Sequence, residues 1–421
     1  MKFALILSVI FTSIFSIAQT HKCHTYELMQ YQESQTPGYL DAVNESFARA
    51  KQSFSQDRST VYTIPVVVHI VYNDSTENLD DSVIFNQIDV LNASFRRLNA
   101  DTINLRDTFN TIVGDSYIEF ELANVDPDGF ATTGITRTST SQTSFLGVGG
   151  FPAEGVKSDA EGGIDPWDQA HYLNIWVCNM SFAGTPFLLG YATPPNNLPN
   201  WPPGSADNMS DGVVIEFEAF GGNNPNTLDL GSGPMNAEGK TAVHEIGHYL
   251  GLRHIWADGD CSEEDGIDDT PNADDQSNQD CDIIKNTCTD AIGTLGDLPD
   301  MVENYMDYSA ESCQNAFTKG QVDLMRGVLE NERVDLIGGA VGIEDEKQLS
   351  FEVYPNPTNK EFTIVGLKTG ASEMTIFNEA GQIIHQRMIS SSTTVQALEP
   401  GLYFIQLSNE TGIAVQKLIV Y

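Results

Sequence analysis

The chain has 421 residues, with 59 acidic against 21 basic side chains and a formal net charge of −38. A surface this acidic repels nucleic acid and anionic membrane, which removes both as expected partners, while it suits calcium or basic peptides. With 40% hydrophobic residues and length for two or three domains, the chain can bury a sizeable core, and global disorder is excluded.

In chain order, MKFALILSVIFTSIFSIAQT places Lys2 before an apolar run from Phe3 to Phe15 and the small-x-small site Ser16-Ile17-Ala18. This predicts a secretory signal peptide over 1–18, cleaved before Gln19. The run is short for an anchor, and no other segment is long and apolar enough to cross a bilayer. Residues 19–58 read as a polar, weakly periodic pro-segment. From Thr60, VYTIPVVVHIVY is a β-branched run suited to a buried strand. DDSVIFNQIDVLNASFRRLN follows with Ile84, Ile88, Leu91, Phe95 and Leu98 on one helical stripe. SYIEFELANV alternates like a half-buried strand, and YLNIWVCNM and DGVVIEFEAFGG predict two more strands. Otherwise residues 181–236, rich in Pro, Gly and Asn, read as long loops, and 258–303 as a second, very acidic loop region. FTKGQVDLMRGVLENERVDLI returns to helix, with Thr318 and Gln321 as a capping box and Val322, Met325 and Leu329 on one face. GGAVGIEDEKQ, 338–348, is a linker by composition. Over 349–421, short alternating segments separated by Asn-Pro, Ala-Gly and Pro-Gly turns predict a small all-β sandwich.

Of six cysteines, Cys261, Cys281, Cys288 and Cys313 cluster in the acidic region. In an exported protein they read as two bridges, with three connectivities open. A second zinc site is the competing reading, but the C-x-x-C pairs it would use are absent.

The chemistry concentrates in TAVHEIGHYLGLRHIW, 241–256. On a helix His244 and His248 project from one face, one turn apart, and two such imidazoles can share a metal. Glu245, rotated by about 100°, reaches the open side of that metal, where it can take a proton from water. Gly251 is placed to stop the helix in the left-handed conformation, which turns the chain so that His254 can return as a third ligand. Three nitrogen ligands with one open position describe catalytic rather than structural zinc.

H-E-x-x-H-x-x-G-x-x-H followed by Met306 in ENYMDYS resembles the metzincin metallopeptidases, with Met306 as the methionine turn. HEIGHYLGLRHIW, the cysteine-bearing acidic loop, NYMDYS, SCQNAFTKGQVDLMR, LNIWVCNM, LLGYATPP and DGVVIEFEAFG narrow the resemblance to the pappalysin family, in its small ulilysin-like bacterial branch, over about residues 60–335. The resemblance implies an α/β (α+β) metzincin-type catalytic domain over 59–337, with a twisted mixed sheet and an active-site helix. It implies zinc held by His244, His248 and His254, Glu245 as general base, and Tyr308 beside the metal supporting the tetrahedral intermediate. It implies DGVVIEFEAF as the edge strand that pairs with substrate, with Val214, Glu216 and Glu218 on one face. It places Glu311 in the specificity pocket where an aspartate is usual, suiting Arg or Lys beside the cleaved bond, with broad gelatinase-like cleavage as the competitor. It implies a calcium loop in DGDCSEEDGIDDTP with Asp265, Asp268 and Thr270 as ligands, the last two through backbone oxygens, and bridges Cys261–Cys288 and Cys281–Cys313.

Cys23 is a candidate latency switch, its thiolate taking the open metal position, with a Cys23–Cys178 bridge as the alternative. Self-cleavage after Arg58 would release the pro-segment. The last residues, with VYPNPTNKEFTIVG and PGLYFIQLSNETGIAVQKLIVY, resemble the sorting domain of type IX secretion; a carbohydrate-binding or adhesion sandwich is the alternative. The expected protein is a secreted or cell-surface monomeric zinc endopeptidase. Its expected partners are protein or peptide substrates and the secretion machinery, with no nucleic acid and no membrane insertion. The runner-up is a non-catalytic surface adhesin on a protease scaffold, or a metzincin of another branch.

Overall fold

The computed structural model describes residues 21–55, 60–146, 154–182, 184–196, 210–230 and 233–338, and, with short breaks, 351–421. The expected signal peptide, Arg58 and the linker from 339 onward lie outside the described residues. The chain divides into two units, Met1–Gly342 and Ile343–Tyr421.

The expected pro-segment is more regular than its weak periodicity suggests. His21–Cys23 forms strand β1, Thr25–Gln35 helix α1 and Tyr39–Gln52 helix α2. In α2 the buried residues Tyr39, Val43, Ser46 and Ala50 recur at helical intervals. The Ala50 carbonyl packs so closely on Gly327 that a Cβ there would lie 2.1 Å from it.

The expected strand run becomes β2 (Tyr62–Tyr72), and the expected helix becomes α3 (Asp81–Phe95). The Asp80 carboxylate caps α3 by accepting from the Ser82 N–H. Ile84, Ile88, Leu91 and Phe95 are buried as the stripe requires, but Leu98 is 74% exposed. The helix ends at Phe95 and the chain turns through Arg97, at φ 51, so Leu98 leaves the stripe. Strands β3 (Ile118–Leu122), β4 (Ile135–Ser139) and β5 (Leu173–Cys178) follow, then the small hairpin β6 (Ser181–Phe182) and β7 (Thr185–Pro186). Next come β8 (Leu188–Ala192) and β9 (Val213–Glu216), and a second hairpin, β10 (Leu228–Asp229) and β11 (Pro234–Met235). Helices α4 (Lys240–Tyr249), α5 (Lys319–Asn331) and α6 (Val334–Gly338) complete this unit, and α5 carries the expected capping box of Thr318 and Gln321.

The sheet runs β1-β8-β9-β5-β2-β3, with β4 also on β2. It is mixed: β8 is antiparallel to β9 and the other pairs are parallel. One face buries Ile64, Val66 and Val68 against Ile84 and Leu91 of α3 and Val243 and Ile246 of α4. The other buries Trp176, Cys178, Tyr191 and Val214. Two covered faces explain why these strands read as continuous apolar runs.

Two expectations are corrected here. Residues 181–236 are not all loop, because LLGYA forms β8. DGVVIEFEAF is not the edge strand either: β9 lies between β8 and β5 with every residue buried, and Glu216 is 0% exposed. The apparent alternation of Val214 and Glu216 reflects two buried faces, and Phe217–Ala219 is already a short 3-10 turn.

The second unit is the expected sandwich. Its strands are β12 (Glu352–Tyr354), β13 (Glu361–Val365), β14 (Ser372–Asn378), β15 (Ile383–Ile389), β16 (Thr393–Gln396), β17 (Gly401–Asn409) and β18 (Gly412–Val420). They form two antiparallel sheets, β12-β13-β16 and β15-β14-β17-β18. Phe362 and Ile364 from one meet Met374, Ile376, Ile405 and Leu407 from the other in a shared core. Among the described residues no helix is long and apolar enough to cross a membrane.

Candidate active site

Helix α4 is short and entirely buried, so both of its ends must be satisfied by the protein. At its start the Glu311 carboxylate accepts from the Thr241 N–H at 2.6 Å, the Thr241 hydroxyl at 3.0 Å and the Glu238 N–H. A carboxylate there also complements the positive end of the helix dipole. At its finish Gly251 has φ +92, its N–H donates to the His248 carbonyl at 2.8 Å, and the Leu252 N–H donates to the Gly247 carbonyl at 2.9 Å. This is the left-handed glycine stop expected from the sequence. A Cβ on Gly251 would also meet Val328 Cγ2 at 2.9 Å.

The turn brings the three histidines together. The Nε2 atoms of His248 lie 3.1 Å from those of His244 and His254, and the latter two are 3.3 Å apart. Each Nδ1 is held by the protein: His244 by the Tyr305 carbonyl at 2.7 Å, His248 by the Leu252 carbonyl at 2.8 Å, and His254 by the Asp258 carboxylate at 2.6 Å. With the proton on Nδ1, all three Nε2 lone pairs face one point and cannot bond one another. Burial keeps His244 and His248 neutral, the latter pushed down to about 3. Three nitrogens at about 2.05 Å from a tetrahedral cation would stand about 3.3 Å apart, so the spacing fits a zinc-sized ion. The His254 ring stacks on Trp256, centroids 4.2 Å apart. Beneath, Met306 is fully buried, and a Cβ on Gly247 would lie 2.5 Å from its Sδ.

Glu245 points to the open side of the cluster. Its Oε2 accepts from the Cys23 thiol at 3.3 Å and the Thr25 hydroxyl at 3.2 Å, and its Oε1 is buried without a partner. Burial lifts this carboxyl to about 8. Cys23 Sγ and the three imidazoles form one group whose donor atoms lie within 4.8 Å of one another. Cys23 and Cys178 are both buried and unbridged, which removes the alternative disulfide. The Tyr308 hydroxyl donates to the Cys23 carbonyl at 3.0 Å, and its ring lies 5.0 Å from that of His254.

Cys23 arrives on β1, which pairs in parallel with β8 (His21 with Leu188, Cys23 with Gly190). Lys22 is thereby carried into a cavity of about 320 Å³ lined by Leu189, Leu228, Met235, Thr241, Ala310 and Glu311 among others. Its ammonium donates to the carbonyls of Ser309 at 3.1 Å and Asp307 at 3.4 Å. Glu311 does line this cavity, but it reaches an occupant through its field, since its oxygens cap α4.

The acidic loop is stapled as the resemblance implies, Cys261 to Cys288 and Cys281 to Cys313, with Cα–Cα distances of 5.5 and 6.0 Å. Asp265 Oδ2, Asp269 Oδ1 and Thr270 Oγ1 are buried with no hydrogen-bond partner, and burial pushes Asp265 up to about 8. Buried oxygens left this way suit a hard cation. The Asp268 side chain is not among them: it is 90% exposed and pairs with Lys51 at 2.7 Å. Sequence reasoning did not find Lys22, Thr25, Gly190 or Asp258; only Asp258, four residues after His254, carried a local signal.

Residues 157–330 match the peptidase M43 family model described as pregnancy-associated plasma protein-A, and residues 352–421 match the secretion system C-terminal sorting domain. A promirolysin mutant of Tannerella forsythia is 38% identical and superposes with a TM-score of 0.63, over 75% of this chain and 97% of its own. Mature mirolysin in complex with a cleaved peptide is 41% identical with a TM-score of 0.56, over 66% of this chain and 96% of its own. An extracellular metalloprotease of Arthroderma benhamiae is 28% identical over 294 residues, 69% of this chain and 80% of its own length.

Proposed function

This chain belongs to the pappalysin family and is a secreted metalloendopeptidase with a C-terminal sorting domain, and from that premise we propose that it hydrolyses peptide bonds with zinc on His244, His248 and His254 and Glu245 as general base. The observation that carries this reading is the convergence of three Nε2 lone pairs, every Nδ1 already spent, beside a buried carboxylate. Zinc at that point supplies Lewis acidity, lowering the pKa of water and polarising a carbonyl. Glu245 takes the proton from the attacking water and hands it to the leaving amine. Its Oε2 is engaged by Cys23 and Thr25 of the pro-segment, and Gly190 of β8 packs against its side chain, so departure of the pro-segment frees the carboxylate for this step. The Tyr308 hydroxyl, freed from the Cys23 carbonyl, donates to the oxygen on which charge develops.

The same contacts support latency. Cys23 stands at the open position, Thr25 and Cys23 occupy Glu245, and β1 takes the edge of β8. After the pro-segment leaves, β8 rather than β9 offers its backbone to an extended substrate. A preference for Lys or Arg beside the cleaved bond is supported by Lys22, whose ammonium finds two carbonyls in the Glu311-lined cavity. Asp265, Asp269 and Thr270 hold calcium through their buried side-chain oxygens, leaving Asp268 only its backbone oxygen to offer, and the ion stiffens the acidic loop. The sorting domain serves type IX export.

Chelation with phenanthroline and Glu245→Ala test the core of this reading. Proteolysis should vanish on chelation and return with zinc. The variant should bind zinc as the parent does, with kcat/KM lowered by about 10³ or more. Cleavage that survives complete metal removal defeats it.

A further inference from the structure

The histidines are oriented by carbonyls and a carboxylate, so whatever holds those acceptors also sets the metal site. The His244 Nδ1–H bonds to the Tyr305 carbonyl, in the turn that carries Met306. This turn has no regular element of its own. Its backbone bridges Asn304 to Ala316, with the Tyr305 N–H donating to the Ala316 carbonyl at 3.1 Å, and an amide pair adds to this: the Asn304 side chain donates to Gln321 Oε1 at 2.9 Å, and the Gln321 side chain donates back to Asn304 Oδ1 at 3.2 Å. Asn304 Oδ1 also accepts from the Met306 N–H at 2.9 Å. Gln321 Oε1 also accepts from the Thr318 N–H at 2.9 Å, which is the capping box of α5. Asn304 and Gln321 are each 0% exposed.

A buried side-chain amide needs its donors and acceptors satisfied, and a reciprocal pair satisfies both at once with little freedom to shift. An ordinary capping box would be complete with Gln321 bonding only its own helix start. Here the capping side chain is also clasped by Asn304, two residues before the methionine. The start of α5 is therefore tied through two amides to the backbone that fixes His244 and floors the imidazole cluster.

We propose that Asn304 and Gln321 are positioning residues of the metal centre: the amide pair sets the methionine turn and, through the Tyr305 carbonyl, the orientation and basicity of His244. The inference rests on the zinc reading above. Outer partners of metal-bound histidines typically change metal affinity by about 10- to 100-fold, and this pair acts one bond further out, so the lower figure applies.

The test measures zinc dissociation constants by chelator competition, together with the visible absorption of the cobalt-substituted protein. It uses the full chain carrying Glu245→Ala, so that no proteolysis intrudes. Asn304→Ala and Gln321→Met should each weaken zinc binding about tenfold and alter the cobalt bands, which report ligand geometry. Asn304→Ser retains an acceptor for the Met306 N–H but cannot reach Gln321; it should weaken binding about threefold and keeps the test open should the alanine variant not fold. A lowered melting temperature with zinc affinity within twofold of the parent and unchanged cobalt bands would assign the pair a purely structural role and overturn the proposal. Absence of zinc binding by the parent would instead defeat the zinc reading itself.

Discussion

Gly190 on β8 offers a way to move the general base without touching the metal. A Cβ at this position would stand 2.6 Å from Glu245 Cγ, 2.8 Å from Oε1 and 3.0 Å from Cδ. Gly190 is not in the left-handed region, so its backbone accepts alanine, and the whole conflict falls on Glu245. Ordinary contact begins at 3.4 Å, so the side chain must retreat by about 0.8 Å from 2.6 Å. A misplacement of about 1 Å at a reacting group can lower the rate by about 10²-fold, while overpacking of this size costs about 1–3 kcal/mol of stability. Gly190→Ala should therefore fold and carry a full complement of zinc by atomic absorption. Its kcat/KM on a fluorogenic peptide, measured after removal of the pro-segment by an added protease, should fall by about 10²-fold. Activity within about threefold of the parent at equal zinc content would refute the placement of Glu245 as base against the floor of β8.

Three further outcomes are expected. Cys23→Ala should weaken latency, leaving only Thr25 and β1 to block the site, seen as measurable peptide cleavage by the uncut chain or as accelerated self-processing on gels; an uncut variant as silent as the parent would remove the thiol from the mechanism. Asp265→Asn should weaken calcium binding by calorimetry about tenfold or more, whereas Asp268→Asn should change it less than threefold; equal effects would contradict the assignment of Asp265 as the buried ligand. Glu311→Gln should lower kcat/KM for Lys or Arg peptides about tenfold relative to matched apolar peptides, and an unchanged ratio would remove the pocket charge from specificity.

What the sequence made legible was local. The histidines, Glu245 and Gly251 fall within eleven residues, and helical geometry alone fixes where they point, so the site could be drawn before the fold. The capping box of α5 and the inner stripe of α3 were readable for the same reason. Errors arose where position depends on a distant partner. Val213–Glu216 reads like an alternating edge, but whether a strand is central is decided by its neighbours, and LLGYA, hidden in a Pro, Gly and Asn-rich stretch, is the strand that displaced it inward. Asp269 was not singled out beside Asp268, its neighbour in an acidic run, because only the turn of the loop leaves one of its oxygens buried while the Asp268 carboxylate faces solvent.

Glu311 shows how far a residue's identity can be read before its partners are known. A carboxylate just past the methionine turn was expected to line a pocket that suits Arg or Lys. In the folded chain its oxygens are taken by the start of α4, and Lys22 is met instead by two backbone carbonyls. Glu311 thus reaches the helix end while still lining the cavity. Charge selection and helix capping then share one side chain. Its replacement should therefore disturb the seat of His244 as well as the pocket, which is why the Glu311→Gln comparison is framed as a ratio between matched peptides. A fault in the helix lowers cleavage of both peptides alike, and only a loss of pocket charge moves the ratio.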